Sequence, residues 1–160
     1  YKLIEYKGLR FILTNLLGSV LIGESNMEAP EAFIEVLNKT SHLHPDFYFV
    51  DLHAETTAEK RVFVEYFRDY AKVVIGTHTH VQTADEGLLN GCAFISDVGM
   101  CGAYDSIIGR DVDETIRSHI KKEPTRYTIA EGPGIFCGVV IDIDEKNKKP
   151  VAIERIQIRP

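Results

Sequence analysis

Apolar residues in the first half of the chain gather in short runs that are typical of β-strands. Two of these runs, at residues 2–6 and 10–16, are separated by a Lys-Gly pair and predict a β-hairpin. Two later runs, at 47–52 and 72–75, are almost wholly apolar, like strands that a parallel sheet buries on both faces. We therefore expect a sheet that begins with a hairpin and continues with parallel strands.

Helical patterns separate these runs. Apolar residues at intervals of three and four predict a helix from Pro30 to about Lys39. Thr56 and Glu59 have the spacing of a capping box, which predicts a second helix to about Tyr70. Its expected buried face consists of Val62, Phe63, Tyr66 and Phe67. A third helix is predicted after Asp111 and Glu114, with Val112, Ile116 and Ile120 facing inward.

The final part of the chain has a different pattern. An Asn-Gly turn at 90–91 leads into an apolar run at 92–96, and further β-type runs follow at 127–130, 135–143 and 151–158. This order predicts an α/β fold with an antiparallel end. With 160 residues, 44% of them hydrophobic, we expect one domain over residues 1–160.

Charge and composition limit the classes of partner. The net charge is −6, and basic residues are scattered apart from a short stretch at 146–149 that we interpret as a solvated turn, so no groove for extended nucleic acid is expected. The most apolar stretch, at 11–23, is too short and too polar to span a bilayer, and no membrane partner is expected. Three cysteines without C-x-x-C spacing favour reduced thiols and a cytoplasmic location.

Three histidines come directly after predicted strands. His53 follows one buried run, while His78 and His80 follow the next. In a strand, residues i and i+2 point the same way about 6.6 Å apart, so His78 and His80 are expected to face one metal or two adjacent metals. Ligands also collect at the carboxyl ends of neighbouring parallel strands. The pattern favours a metal site of these three imidazoles over three separate loop residues. The other histidines, expected to be exposed, are His42, His44 and His119.

The acidic residues near these histidines have two interpretations each. Asp51 lies two residues before His53, so both side chains leave the strand on one face. Asp51 is therefore either a carboxylate that orients the ligand histidine without touching the metal or a buried carboxylate satisfied by backbone amides. Glu55 and Asp85 lie in flanking turns, where caps and loop residues are commoner than metal ligands.

Several segments together resemble a known family. The runs at 50–60, 76–85 and 96–100 resemble segments of the bacterial metallophosphoesterases often called the YmdB family. The resemblance extends from the Asn-Leu-Leu-Gly run at 15–18 to the closing strands. It therefore covers nearly the whole chain, and the Gly-Thr-His-Thr-His run at 76–80 is its most specific part.

The resemblance implies both a fold and an activity. The implied fold is a calcineurin-like α/β sandwich of two sheets flanked by helices, with a two-metal site at one edge. The implied reaction is hydrolysis of 2′,3′-cyclic nucleotides to 3′-nucleotides with two divalent metal ions, iron or manganese. By position, His53 and His78 correspond to ligands of one metal and His80 to a ligand of the other.

The resemblance also implies that part of the site lies outside these residues. Family members carry roughly a hundred further residues before the matched region, a domain-scale length. Those residues hold the remaining metal ligands and the histidine that resembles the general acid. Because the chain begins at Tyr1 rather than Met, we expect it to be the C-terminal portion, without a catalytic acid and inactive alone. A homo-oligomer is compatible with this interpretation.

Two alternatives to a phosphoesterase stay open. An amidohydrolase also uses an H-x-H pair, but it needs further ligands on later strands, and only His119 follows His80. A non-catalytic metal-binding or regulatory domain would require the metal ligands alone. Measurement of bound metal would separate such a domain from an inert one.

Overall fold

The computed structural model describes residues 1–22 and 27–160. Gly23, the last residue of the apolar stretch considered above, lies outside the described residues. The helices and strands, numbered in chain order, are β1 (Lys2–Tyr6), β2 (Leu9–Leu17), α1 (Ala29–Thr40), β3 (Phe47–His53), α2 (Thr57–Phe67), β4 (Ala71–Thr77), β5 (Gly87–Leu89), β6 (Cys92–Ile95), β7 (Gly102–Ala103), α3 (Val112–His119), β8 (Gly134–Asp144) and β9 (Lys149–Ile158). A short 3₁₀ turn, Ser41–Leu43, follows α1.

The larger sheet has the strand order β1-β2-β3-β4-β6-β5. Its four central strands are parallel, and antiparallel hairpin partners, β1 and β5, form the two edges. Asn90 and Gly91 both have positive φ in the β5–β6 turn, as a two-residue hairpin requires. The predicted hairpin of β1 and β2, the Asn-Gly turn into β6 and the buried parallel strands β3 and β4 are confirmed. A smaller antiparallel sheet has the order β7-β8-β9.

The larger sheet is covered on both faces. On one face, Phe33 of α1 packs against Phe63 and Phe67 of α2, with ring centroids 5.4 and 5.0 Å apart. On the other face, Ile75 and Ile95 belong to a second apolar cluster that includes side chains of β8 and β9. The molecule is thus a mixed α/β fold in which helices, the larger sheet and the smaller sheet are stacked in layers. Among the helices that the structure describes, none combines the length and apolar character that a membrane span requires.

The predicted inner face of α2 is partly wrong. Val62 and Tyr66 are 68% and 75% exposed, and the helix ends at Phe67 rather than Tyr70. The buried stripe is instead Lys60, Phe63, Val64 and Phe67. The spacing of apolar residues predicts the wrong buried face because a lysine, Lys60, lies at the centre of the buried stripe. Burial of the Lys60 ammonium is tolerated because it is paired with Asp97.

The N-terminus of α2 has half of the predicted capping box. The Thr56 hydroxyl accepts a hydrogen bond from the Glu59 amide, 3.2 Å away. Glu59 does not reach back to Thr56. Its carboxylate accepts the Ser19 amide at 2.8 Å instead, which ties the start of α2 to the segment after β2.

The predicted inner face of α3 is also wrong. The three residues predicted to face inward, Val112, Ile116 and Ile120, are more than one-third exposed, at 37%, 43% and 76%. Glu114 is buried instead, because Arg110 pairs with its carboxylate at 2.8 Å. The run at 127–130 forms only an isolated bridge to Arg110 rather than a strand.

Candidate metal centre

The parallel pairing of β3 with β4 brings two of the predicted ligands together. His53, the last residue of β3, is the register partner of Thr77, the last residue of β4. His78 follows directly. Its Nδ1 atom lies 3.0 Å from Nε2 of His53, and the two rings are nearly perpendicular, with an angle of 89° between their planes. The two rings therefore place one nitrogen each side by side at the carboxyl edge of the larger sheet.

A chain of hydrogen bonds fixes the tautomer of His53. The Thr77 hydroxyl donates its single proton to Oδ1 of Asp51, 2.8 Å away. The same hydroxyl oxygen lies 3.0 Å from Nδ1 of His53, so it accepts the Nδ1 proton. The side-chain amide of Asn15 donates to Oδ2 of Asp51 at 2.9 Å and holds the carboxylate from the other side. Nε2 of His53 therefore carries the lone pair that faces His78.

Asp51 reaches His53 indirectly. From the sequence alone, this carboxylate either orients the histidine or is satisfied by backbone amides. Its side-chain partners in the structure are Thr77 and Asn15. Neither partner is evident from local sequence, because Asn15, Asp51 and Thr77 lie on three different strands.

His78 faces acceptors on both of its ring nitrogens. Nδ1 points at the lone pair of His53, and Nε2 lies 2.8 Å from a carboxylate oxygen of Glu55. A neutral His78 ring donates its single proton to Glu55 through Nε2, which leaves the Nδ1 lone pair beside that of His53, as in two ligands of one metal. Glu55, considered above as a loop residue, is thus in contact with the centre.

His78 and His80 do not lie in a strand. β4 ends at Thr77, and His78 and His80 have φ values of 125° and 65°. The prediction that His78 and His80 share one face of a strand is therefore wrong. Positive φ in residues other than glycine costs about 1–3 kcal/mol each and is concentrated at functional sites.

The ring of His80 is held by a different loop. Its Nδ1 atom lies 2.8 Å from the carbonyl oxygen of Ile108, so Nδ1 donates and Nε2 carries the lone pair. A hydrogen bond from one ring nitrogen to a carbonyl oxygen is the usual support for a histidine that binds metal through the other. All three histidines line one cleft of about 410 Å³.

A buried carboxylate that the sequence did not single out holds the loop between the histidines. Asp97 is fully buried, and its Oδ2 atom accepts the Thr79 amide at 2.8 Å. Its Oδ1 atom accepts the Gly99 amide at 2.9 Å, so one side chain fixes both loops that line the cleft. Gly76 allows these loops to approach, because a Cβ atom there would lie 1.8 Å from the Ser96 carbonyl oxygen.

Asp85 supports the same region without contacting the centre. Its carboxylate accepts the Ser96 amide at 3.1 Å and also the Ser96 hydroxyl. Burial raises the pKa of the Asp85 carboxyl, but hydrogen bonds from Ser96 and Thr83 outweigh burial and hold the pKa below its ordinary value. Asp85 is therefore a loop cap, as its position in a turn indicates. His42, His44 and His119 are exposed and are not among the residues that line the cleft.

The donor atoms fit part of a metal site. Two nitrogens that each bind a metal at about 2.1 Å, with an N–metal–N angle of roughly 90°, lie about 3.0 Å from each other. Nε2 of His53 and Nδ1 of His78 are 3.0 Å apart, which matches this value. Within residues 1–22 and 27–160, however, no three His, Cys, Asp or Glu side chains are grouped closely enough to hold a metal ion by themselves. His53 and His78 thus fit two ligands of an incomplete metal site. His80 presents a further nitrogen, Nε2, in the same cleft.

Known proteins resemble this chain over almost its full length. The chain is 41% identical over 159 residues to the 2′,3′-cyclic-nucleotide 2′-phosphodiesterase of Bacillus subtilis (strain 168). The fold matches the crystal structure of a phosphatase from Mycoplasma pneumoniae with a TM-score of 0.88 and 32% identity. It also matches a hypothetical protein from Thermus thermophilus with a TM-score of 0.89 and 29% identity.

The alignments include nearly all of this chain but only part of each relative. Each alignment includes at least 97% of this chain. The same alignments include 58% of the Bacillus protein, 56% of the Mycoplasma chain and 61% of the Thermus chain. This chain therefore spans little more than half the length of these relatives. The family model described as YmdB-like protein matches residues 1–156, which confirms the predicted resemblance, and the chain belongs to the YmdB-like family.

Proposed function

We propose that this chain supplies the histidine side of a two-metal phosphodiesterase site in a calcineurin-like fold. The reaction is hydrolysis of 2′,3′-cyclic nucleotides to 3′-nucleotides, in keeping with the name of the Bacillus relative. The observation that carries the proposal is the hydrogen-bond chain from Asp51 through Thr77 to His53. These hydrogen bonds leave Nε2 of His53 free to bind a metal, at 3.0 Å from Nδ1 of His78.

The three histidines have separate roles in this proposal. His53 and His78 would hold one metal, and His80 would hold the second through Nε2. Two divalent ions, iron or manganese, would bind the phosphate oxygens and lower the pKa of a bound water. Neutral imidazoles leave the positive charge of such ions uncancelled, and the supports behind His53 and His80 restrict both rings to the metal-binding tautomer.

The composition of the cleft supports a requirement for metal. The described residues that line it include three histidines but no lysine or arginine. A cyclic phosphodiester is an anion, and the chain has a net charge of −6. Binding of this substrate in the cleft therefore needs positive charge from another source, which metal ions would provide.

Catalysis also needs groups that these histidines do not supply. The leaving 2′-oxygen requires a proton, and general acid catalysis typically contributes about 10²–10⁴-fold. Each of the three histidines is committed to metal binding in this proposal. We therefore expect the general acid and the remaining metal ligands to come from outside residues 1–160. The chain alone should hydrolyse cyclic nucleotides slowly.

The metal part of the proposal is tested with His78→Ala. Purified chain is loaded with Mn²⁺ or Fe²⁺, and bound metal is measured by elemental analysis. His78→Ala removes a ligand and should lower the metal content. His119→Ala, at the exposed end of α3, is the matched control and should leave the metal content unchanged. Equal metal content in both variants would overturn the ligand assignment.

The catalytic part is tested with 2′,3′-cyclic AMP. The metal-loaded chain is assayed beside the full-length Bacillus relative, with the position of the product phosphate identified by chromatography. We expect the relative to form the 3′-nucleotide and the chain to show little turnover. Comparable rates would contradict the expectation that the general acid lies outside this chain. Hydrolysis by the relative without any dependence on metal would contradict the proposed chemistry.

A further inference from the structure

Part of the wall of the cleft is apolar and exposed. Ile108, Tyr127 and Ile129 line the same cleft as His53, His78 and His80. Their exposed fractions are 48%, 61% and 73%. Grouped apolar side chains of this exposure commonly mark a ligand-binding surface. A pocket that combines such a wall with a few convergent polar atoms is typical of small-molecule sites.

Tyr127 is held in a fixed position despite its exposure. The guanidinium carbon of Arg110 lies 4.7 Å from the centre of the Tyr127 ring. Arg110 is in turn fixed by a fork of two hydrogen bonds to Glu114, at 2.9 and 2.8 Å. The Thr125 hydroxyl donates to the same carboxylate at 2.6 Å. Hydrogen bonds from Thr125 and Arg110 hold the pKa of the Glu114 carboxyl below its ordinary value, so the supporting charge is present at neutral pH.

The backbone around Tyr127 is attached to the loop that supports His80. The Asp111 amide donates to the Thr128 carbonyl, and the Ala130 amide donates to the Gly109 carbonyl, both at 3.0 Å. The neighbouring Ile108 carbonyl accepts the hydrogen bond from His80. The aromatic ring and the second proposed metal ligand are thus positioned by one framework.

We propose that the ring of Tyr127 is a stacking platform for the nucleobase of the substrate, with Ile108 and Ile129 as apolar side contacts. The proposal rests on the function proposed above and names the part of the site that binds the base. Arg110 contacts the ring, and Tyr127 is among the residues that line the cleft. A nucleoside would then place its base on the ring and its ribose phosphate towards the histidines. Stacking uses the π-face that every base has, so the platform binds purines and pyrimidines alike.

The test measures binding of adenosine, which contains no phosphate and needs no metal. Adenosine is titrated into metal-free chain, and its dissociation constant is obtained from NMR chemical-shift changes, with ribose as the baseless control. We expect adenosine to bind and to shift signals of residues 108–110 and 127–129, whereas ribose should not. Because base stacking contributes about 1–3 kcal/mol, Tyr127→Ala should weaken adenosine binding by about 5- to 150-fold.

Two further variants separate stacking from a general loss of structure. Tyr127→Phe keeps the ring and should bind adenosine nearly as wild type does. Tyr66→Ala removes a tyrosine that is 75% exposed on α2, which contributes no residue to the cleft, and should have no effect. Wild-type affinity in Tyr127→Ala, or no adenosine binding by the wild type, would overturn the platform. Adenosine binding at Tyr127, with no hydrolysis of any cyclic nucleotide by the metal-loaded full-length Bacillus relative, would instead retain the platform and reject the proposed reaction.

Discussion

The ammonium of Lys60 lies 3.3 Å from Oδ2 of Asp97, and both side chains are almost completely buried, with 2% and 1% of their surface exposed. The same oxygen accepts the Thr79 amide in the turn between His78 and His80. This ion pair therefore joins α2, beneath the larger sheet, to the loop that carries two of the proposed metal ligands. A buried charge that loses its partner is strongly destabilising, and this makes the pair a sensitive test of the fold.

Lys60→Met should lower the free energy of unfolding by about 3–5 kcal/mol, because the Asp97 carboxylate would stay buried without its cation. Urea denaturation followed by circular dichroism measures the change. Asp97→Asn combined with Lys60→Met removes both charges and should cost less than the sum of the two single variants. Additive effects in this cycle would show that the two side chains do not interact.

Thr77→Val should weaken metal binding by about 10- to 100-fold, the usual cost of losing a partner that orients a ligand histidine. Valine has a similar shape but cannot accept the Nδ1 proton of His53 or donate to Asp51. Thr79→Val is the matched control, since the Thr79 hydroxyl makes only two long hydrogen bonds, both at 3.4 Å and both with the backbone of Val81. Competition with a chelator measures Mn²⁺ affinity. Equal losses in both variants would contradict the role assigned to Thr77.

Gly76→Ala should destabilise the protein by about 1–3 kcal/mol or more, because the new methyl group would overlap the Ser96 carbonyl oxygen, 1.8 Å away. The backbone of β4 and the segment after β6 would have to separate. Gly87→Ala is the control within the same sheet, since a Cβ atom there meets nothing within 4 Å. Its stability should stay within about 0.5 kcal/mol of the wild type. Thermal unfolding midpoints that fall equally in both variants would contradict this prediction.

Asp85→Asn should reduce stability by about 1 kcal/mol at neutral pH, a modest value because solvent screens the partly exposed carboxylate. The pKa of Asp85 is lowered in the folded state. Its contribution is therefore complete above the ordinary aspartate pKa of about 4 and is lost as the pH falls through the lower folded value. Denaturation at several pH values should show the two proteins converging in acid. A difference that widens as the pH falls would refute the assignment.

Local sequence determined most of the regular structure. The apolar runs predicted the hairpin of β1 and β2 and the buried strands β3 and β4, because alternation and burial of strand residues depend on near neighbours. Placement of His53 and His78 at one edge also followed, since parallel strands end on the same side of a sheet. The family resemblance had the same origin in contiguous motifs.

Only the tertiary structure shows which faces of α2 and α3 are buried. Lys60 lies at the centre of the buried stripe of α2, and Glu114 lies on the buried side of α3. Hydrophobic spacing assigns both residues to solvent. Each is buried because a residue elsewhere neutralises it: Asp97 for Lys60 and Arg110 for Glu114.

The chemistry of the candidate centre also depended on contacts between distant residues. Asn15 and Asp51 are 36 residues apart, and Asp51 and Thr77 are 26 apart. Such hydrogen bonds exist only when strand register aligns the partners, and a single sequence does not state that register. The positive φ values of His78 and His80 likewise depend on a loop that Asp97 holds from another segment. Sequence thus specified that His53 and His78 lie at one edge of the sheet, while the tertiary structure decided which nitrogen each histidine presents, because ring orientation is set by long-range hydrogen bonds.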